Sequence, residues 1–301
     1  MHLWIRAEER ENERRVGVTP AGVAELVAAG FTVTVEESPD RVIPLAEFVA
    51  AGATPAPRGS WRGAPPEAII FGLKELPEDT GPLVHRHIMF GHAYKGQPAG
   101  RHLLSRFADG GGILYDLEYL VDESGRRVAA FGHWAGFVGA ALSVMAWAAQ
   151  RRGDACPPAG VFDSSAALVE ATRDQMSTTG ARPSAIVIGA KGRVGGGAVA
   201  LFEALGVAPT RWDVEETASG GPFPEVLAHD IFINAILAAP GCPVFVPADA
   251  TTTPRRLTVI GDVACDPGSE FSPVRVYDRV TTWEDPVRRV HDDPLLDVMA
   301  I

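Results

Sequence analysis

The chain has 301 residues, 46% hydrophobic and 22% charged, with a formal net charge of −11. That length suits two domains of about 150 residues better than a single core. The acidic balance argues against a nucleic-acid or membrane-surface partner, since neither polyanion would be attracted to it, so basic residues are read locally as carboxylate or phosphate ligands. Cys156, Cys242 and Cys265 stand far apart and match no zinc spacing, which suits reduced thiols in a cytoplasmic protein. The N-terminus is charged from Arg6 onward and has no apolar signal core, so secretion is not expected.

In chain order, Leu3 to Arg6 reads as a strand and Ala7 to Arg15 as a charged loop. Thr19-Pro20 supplies an N-cap and a first-turn proline for a helix to about Ala29, ended by Gly30. A strand over Phe31 to Val35, a helix over Leu45 to Ala51 and a strand over Ala68 to Leu73 follow, with Gly59 to Pro66 as a surface loop. Ile88 to Phe90, a helix near Gly100 to Ala108, and Gly112 to Asp116 continue the βαβ rhythm.

Val128 to Ala149 runs 22 residues without a formal charge, long enough to cross a bilayer. Its apolar content is mostly Ala and Gly, with His133, Trp134 and Ser143 inside it, so a buried connecting helix packed through small residues is expected instead. Beyond the break at Arg151 to Gly160 the rhythm returns, with strands near Ala185, Val207 to Trp212, Ile231 to Asn234 and Thr258 to Val263. The expected class is α/β: two Rossmann-like domains with parallel sheets, separated by an active-site cleft. Residues 1–133 are expected as the first domain, 134–285 as the second with its leading helix, and 286–301 as a segment returning to the first domain.

Ser184 to Gly197, SAIVIGAKGRVGGG, is the most specific stretch. Ala185 to Ile188 is wholly apolar, as a strand covered on both faces should be. Gly189, Gly192 and Gly195 then fall at intervals of three, where a turn needs positive φ and a Cβ would hold backbone N–H groups away from a pyrophosphate. The helix that follows offers its positive end to that anion. Asp213 stands 18 residues beyond Gly195, where a carboxylate reaches ribose hydroxyls and repels a 2′-phosphate, which favours NAD over NADP.

The chemistry lies upstream. GLKE, Gly72 to Glu75, puts Lys74 and Glu75 directly after a strand, where open α/β sheets bind ligands. GHAYKG, Gly91 to Gly96, places His92 and Lys95 one strand later. An amine and an imidazole at adjacent strand ends suit proton transfer near neutral pH. Glu75 and Glu118 are candidate tuning carboxylates, while the doublets Arg14-Arg15 and Arg126-Arg127 suit a bidentate clamp on a substrate carboxylate. His85 and His87 share a strand face, but no third ligand accompanies them and no metal is expected. No GxSxG or other nucleophile signature is present.

In order, RAEE with ERRVGVTP, GSWRGAP, IIFGLKELPE, PLVHRHIMFGHAYKGQ, LYDLEYL, GRRVAAFGHWAGFVGAAL, IGAKGRVGGGA, RWDVEET with GGPF, DIFINAIL and VIGDV resemble the NAD-dependent, lysine-forming saccharopine dehydrogenases. These enzymes belong with alanine dehydrogenases and the transhydrogenase NAD-binding subunit, and the likeness covers nearly all of the chain. It implies oxidative cleavage of a secondary amine into lysine and 2-oxoglutarate, with hydride passing to NAD. Lys74 then matches the base and His92 the acid–base group of imine hydrolysis, with Glu75 and Glu118 modulating them. Arg15, Lys95, Arg127 and Phe131 match substrate ligands. Gly189, Gly192, Arg193, Val194, Gly195, Asp213, Ile236 and Asp262 match the cofactor site.

Lys191 and Val194 depart from the family's phosphate turn, where an apolar residue and a cysteine stand, and Asp266 to Phe271 departs from the loop that follows the nicotinamide-side aspartate. Relatives also run on past the position of Ile301 in a tail packed on the first domain, so self-association or a partner covering that surface is an expectation. Small amino-acid and 2-oxo-acid substrates, with no nucleic acid or membrane, complete the reading. The alternatives are an alanine-dehydrogenase-like deaminase and a non-catalytic NAD-binding subunit.

Overall fold

The computed structural model describes residues 1–10, 13–77, 79, 81–94, 98–162, 164–236 and 238–300. The chain divides into two compact units, Met1–Ala130 and Phe131–Ile301. Each is built on one six-stranded sheet.

In the first unit the strands are β1 (His2–Ile5), β2 (Thr32–Glu36), β3 (Thr54–Ala56), β4 (Ile69–Phe71), β5 (Arg86–Met89) and β6 (Ile113–Asp116). They lie in the order β3-β2-β1-β4-β5-β6, all parallel. Parallel neighbours need crossovers, supplied here by α1 (Pro20–Ala28), α2 (Leu45–Ala50) and α3 (Pro98–Gly110). Thr19 caps α1, its hydroxyl accepting from the Gly22 N–H at 3.3 Å, and Pro20 occupies the first turn. Gly30 closes that helix at φ +84°, a conformation open to glycine. The register aligns Phe71 with Ile88 and Met89 with Asp116, so the segments after β4, β5 and β6 leave from one edge of the sheet.

The second unit opens with α4 (Gly132–Arg152), α5 (Ser165–Ser177), β7 (Ala185–Ile188), α6 (Arg193–Ala204) and β8 (Thr210–Trp212). Short helices α7 (Val214–Thr217) and α8 (Pro224–Leu227) precede β9 (Ile231–Asn234), β10 (Val259–Asp262), β11 (Arg288–Asp292) and β12 (Leu295–Met299). The sheet order is β11-β12-β10-β9-β7-β8, parallel except for the β11–β12 hairpin.

The long uncharged stretch is the interior helix α4, buried from Gly136 to Ala149 apart from Val138. It meets α6 through glycines: a Cβ on Gly136 would fall on the Val194 carbonyl, and one on Gly197 on the His133 carbonyl. No helix among the described residues is long and apolar enough to cross a membrane.

The C-terminal segment corrects an expectation. Residues 286–301 are expected from the sequence to return to the first domain, but Leu295–Met299 pairs in parallel with β10 and buries Leu296 and Val298 in the second unit's core. The sequence LLDVMA carries enough apolar surface to extend the sheet beside β10, and burying it there removes it from water.

Candidate active site

In the first unit the edge beyond β4, β5 and β6 collects charge. Gly72 leaves room for the Arg6 guanidinium, which a Cβ there would strike. Arg6 is 1% exposed and donates from Nη2 to the Lys74 carbonyl and from Nη1 to the Ala7 carbonyl at 3.1 Å. Glu8 lies beside it, with Arg6 Nη1 at 3.5 Å from Oε2. Its two oxygens accept from the N–H groups of Leu73 (2.7 Å) and Lys74 (3.0 Å). The Phe90 N–H donates to the Leu73 carbonyl at 3.1 Å and ties the end of β5 to the same segment.

One strand over, Asp116 Oδ1 accepts from the Gly91 N–H at 3.2 Å and the Glu118 N–H at 2.9 Å, joining the turns after β5 and β6. His92 adopts φ +49°, sparsely populated by non-glycine residues and common at functional sites. Its Nε2 is 3.5 Å from Glu118 Oε2, and Arg127 Nη1 is 3.4 Å from Glu118 Oε1. Three residues picked from sequence, His92, Glu118 and Arg127, thus form one cluster around the Glu118 carboxylate.

Arg15 and Glu75 take other partners. Arg15 grips Glu13 at 2.8 and 2.6 Å. Burial pushes the Glu13 carboxyl up, but hydrogen bonds from Arg15 and the charges of Arg15 and Lys74 outweigh it and hold Glu13 below the usual carboxylate range. Glu75 pairs with Arg10 at 3.2 Å. Both Glu75 and His92 line a cavity of about 310 Å³, together with Glu9, Arg10, His102 and Arg106. Lys95 lies outside the described residues.

Arg6, Glu8, Glu13 and Asp116 were not singled out from sequence. The one available signal was the position of RAEE directly after β1, at the sheet edge that also carries GLKE. His85 and His87 serve the core: His85 Nε2 is 3.0 Å from the Ala64 carbonyl. The His87 ring packs edge-on at 5.2 Å from Trp61 and 5.4 Å from Phe107, and burial pushes it down to about 3.

The second unit's glycines divide the labour of the turn between β7 and α6. Gly189 sits at φ +87°, and a Cβ there would meet Ile236 Cγ2 at 2.8 Å and the Ala235 carbonyl oxygen at 2.9 Å. Gly195 seats the first turn of α6 on the Gly189 carbonyl, which its Cβ would strike. Gly192 is the helix N-cap, with no side chain closing the helix end. This cradle fits a pyrophosphate on the open N–H groups of α6. A cavity of about 450 Å³ beside it is lined by Ile188, Asp213, Thr217, Ile236, Pro243 and Phe245, an apolar pocket with a carboxylate at its edge that suits an adenosine. Arg193 and Val194 open α6, where Val194 packs on α4 at Gly132 and Gly136. Phe131 caps α4 at the start of this unit.

Asp213 does more than line the pocket. It accepts from the Lys191 N–H at 2.9 Å, binding the glycine turn to the end of β8, and forms a capping box with Glu216 on α7. Lys191 Nζ reaches Glu215 at 3.2 Å. Asp262, which the resemblance matches to the cofactor site, ends β10. It is 1% exposed, with Oδ1 taken by Asn234 Nδ2 (2.9 Å) and the Cys265 N–H (3.1 Å), and Oδ2 by the Tyr277 hydroxyl (2.8 Å). Donors from β9 and the 263–277 segment hold it in the core, and burial together with the neighbouring Asp262 carboxylate pushes the Tyr277 hydroxyl upward.

These paired domains define a class. The fold matches an L-alanine dehydrogenase with a TM-score of 0.65 at 20% identity, covering 100% of this chain and 82% of that one. It matches a transhydrogenase from Sinorhizobium meliloti with a TM-score of 0.55 at 21% identity, covering 86% and 77%. Residues 4–138 match the family model "Alanine dehydrogenase/PNT, N-terminal domain". Curated relatives narrow the class. The chain is 43% identical over 311 residues to saccharopine dehydrogenase [NAD(+), L-lysine-forming] of Neurospora crassa, covering 99% of this chain and 84% of that protein. It is 42% identical over 315 residues to the protein of the same name in Schizosaccharomyces pombe, covering 100% and 86%. The chain belongs to the NAD-dependent, lysine-forming saccharopine dehydrogenase family.

Proposed function

We infer that this chain is an NAD-dependent dehydrogenase of CH–NH donors, interconverting saccharopine, NAD+ and water with L-lysine, 2-oxoglutarate and NADH. The observation that carries this reading is the 43% identity across 99% of the chain to an enzyme of that name.

When bound, NAD supplies the acceptor for the hydride leaving the substrate carbon. The cradle of Gly189, Gly192 and Gly195 would receive its pyrophosphate, with Asp213, Thr217 and Ile236 at the adenosine side. We assign Lys74 Nζ as the group that takes the proton from the secondary amine as the carbon–nitrogen double bond forms. His92, next to Glu118, then moves the protons that let water add to that carbon and release the lysine amine. Glu118 orients His92 and Arg127 together, while Arg15 and Arg127 are the clamps for substrate carboxylates, with Lys95 and Phe131 as further ligands. Glu75 lines the same cavity as His92 and tunes its charge. The three cysteines are free, which suits a cytoplasmic location.

The test is NADH oxidation followed at saturating L-lysine and 2-oxoglutarate. Turnover with that pair, and far less with alanine precursors plus ammonia, is the expected result; no turnover with lysine ends the reading. Lys74→Met should lower kcat by roughly 10²-fold or more while NADH binding is retained, and an undiminished rate removes Lys74 from its role.

A further inference from the structure

We propose that Arg6 and Glu8 are positioning residues for Lys74, gripping its peptide unit from both sides so that the lysine side chain leaves the sheet edge in one fixed direction. The proposal rests on the reading of Lys74 as the base.

Four observations carry it. Arg6 is among the largest fully buried side chains of the protein, although a buried guanidinium is costly unless paired and hydrogen-bonded. It is spent on backbone: Nη2 donates to the Lys74 carbonyl, and its Nε has no hydrogen-bond partner. Glu8, whose side chain is 8% exposed, uses both oxygens on the consecutive N–H groups of Leu73 and Lys74, 65 and 66 residues further along the chain. Gly72 is the residue over which the guanidinium lies, and any Cβ there would displace it.

The Lys74 peptide is therefore held at its N–H by an anion and at its carbonyl by a cation. The two charges lie 3.5 Å apart and offset each other. Past the end of β4 the backbone bonds to the β5 side continue, from Gly72 N–H to the Ile88 carbonyl and from Phe90 N–H to the Leu73 carbonyl. On the β1 side two charged side chains, Arg6 and Glu8, take over from the backbone and hold Leu73 and Lys74. A merely structural ion pair could have closed on itself. This one is directed at the two peptide groups adjoining the Lys74 Cα.

The test is a double-mutant cycle on the full chain, with kcat, KM for lysine and 2-oxoglutarate, and NADH affinity by fluorescence. Glu8→Gln leaves one of the two N–H groups facing an amide NH2, a donor, where a carboxylate oxygen accepted it. It should lower kcat about tenfold in the wild-type chain, with KM values and NADH affinity within about twofold. In the Lys74→Met background the same change should lower the residual rate by less than about twofold, because no side chain remains to be aimed. The rate that added ethylamine restores to Lys74→Ala should likewise not depend on Glu8→Gln, as a free amine is not tethered.

An equal loss in both backgrounds, a loss confined to KM, or no loss at all overturns the proposal. Wild-type turnover by Lys74→Met overturns the reading of the base itself, and this arm separates the two failures. Should Glu8→Gln not fold, Arg6→Lys takes its place, since it keeps the buried charge but lacks the planar fork whose two nitrogens reach the Ala7 and Lys74 carbonyls. Failure of both variants to fold assigns the pair to stability and overturns the proposal.

Discussion

The edge of the first sheet and the glycine turn of the second perform comparable tasks by opposite means. The turn after β7 is made of backbone, and its specificity comes from side chains that are missing at Gly189, Gly192 and Gly195. The edge after β4, β5 and β6 is made of side chains, with Arg6, Glu8 and Asp116 reaching across the chain to fix peptide groups next to Lys74, His92 and Glu118. A backbone-built site should fail when an atom is added. A side-chain-built site should fail when a partner is taken away.

Gly195→Ala is the sharpest way to break the first half of this contrast. Its Cβ would lie 2.6 Å from the Gly189 carbonyl carbon and 2.7 Å from the Ala190 Cα, both backbone that cannot rotate aside. We expect NADH affinity to fall at least tenfold and stability by about 1–3 kcal/mol, read by fluorescence titration and thermal melting. Unaltered NADH affinity would show that the turn yields, and the contrast would fail.

On the other side, Asp116→Ala adds nothing and removes the acceptor shared by the Gly91 and Glu118 N–H groups. Turnover should drop about tenfold as His92 and Glu118 lose their common anchor, with NADH affinity untouched. Equal turnover would mean that the His92 turn is held by its backbone alone.

A smaller effect concerns the second unit's scaffold. Burial pushes the Asp230 carboxyl up, but hydrogen bonds from Arg256 (2.9 Å) and Ser184 (2.7 Å) and the Arg256 charge hold it below the usual range. A carboxyl depressed in the folded state contributes stability that is present above the ordinary value near 4 and lost as pH falls through the folded value. Asp230→Asn should lower neutral-pH stability by about 1–3 kcal/mol and flatten the acid limb of a denaturation series. An acid limb that keeps its slope would rule Asp230 out as its source.

The smallest change is expected at Lys191, the charged residue inside the glycine turn. Its ammonium is held by exposed Glu215 and its N–H, not its side chain, bonds Asp213. Lys191→Ala should change NADH affinity less than threefold and leave the melting temperature unmoved. A larger loss would make Lys191 a pyrophosphate contact and give the backbone-built turn a side-chain component.

Much of this was legible in advance where the signal is local. Periodicity and punctuation located β1, α1, α2, β9 and β10 within a residue or two, whereas β3, TPA with a proline inside it, and β11, RRVHD with Val290 as its one apolar residue, lack the apolar run that marks those strands. Glycine spacing marked the cofactor turn, and the placement of Lys74 and His92 after adjacent strands marked the reactive edge. Arg6 reads as the end of the first strand and Glu8 as part of the charged loop after it, since nothing in RAEE says that the Arg6 side chain is buried and that of Glu8 nearly so.

The sequence by itself determined the α/β class, the strand that leads into the glycine turn and the residue types for proton transfer, because each depends on neighbours within a few positions. Only the tertiary structure decided which carboxylates face inward. Asp213 caps a helix at the rim of a pocket, while Asp262, at an equivalent strand end, is closed into the core by Asn234 and Tyr277. It also decided that Leu295 to Met299 completes the second sheet and that Arg6 and Glu8 hold Lys74. The physical reason is the same each time: the free energy of a buried charge or an added strand depends on partners far along the chain, and the fold alone brings them within hydrogen-bonding distance.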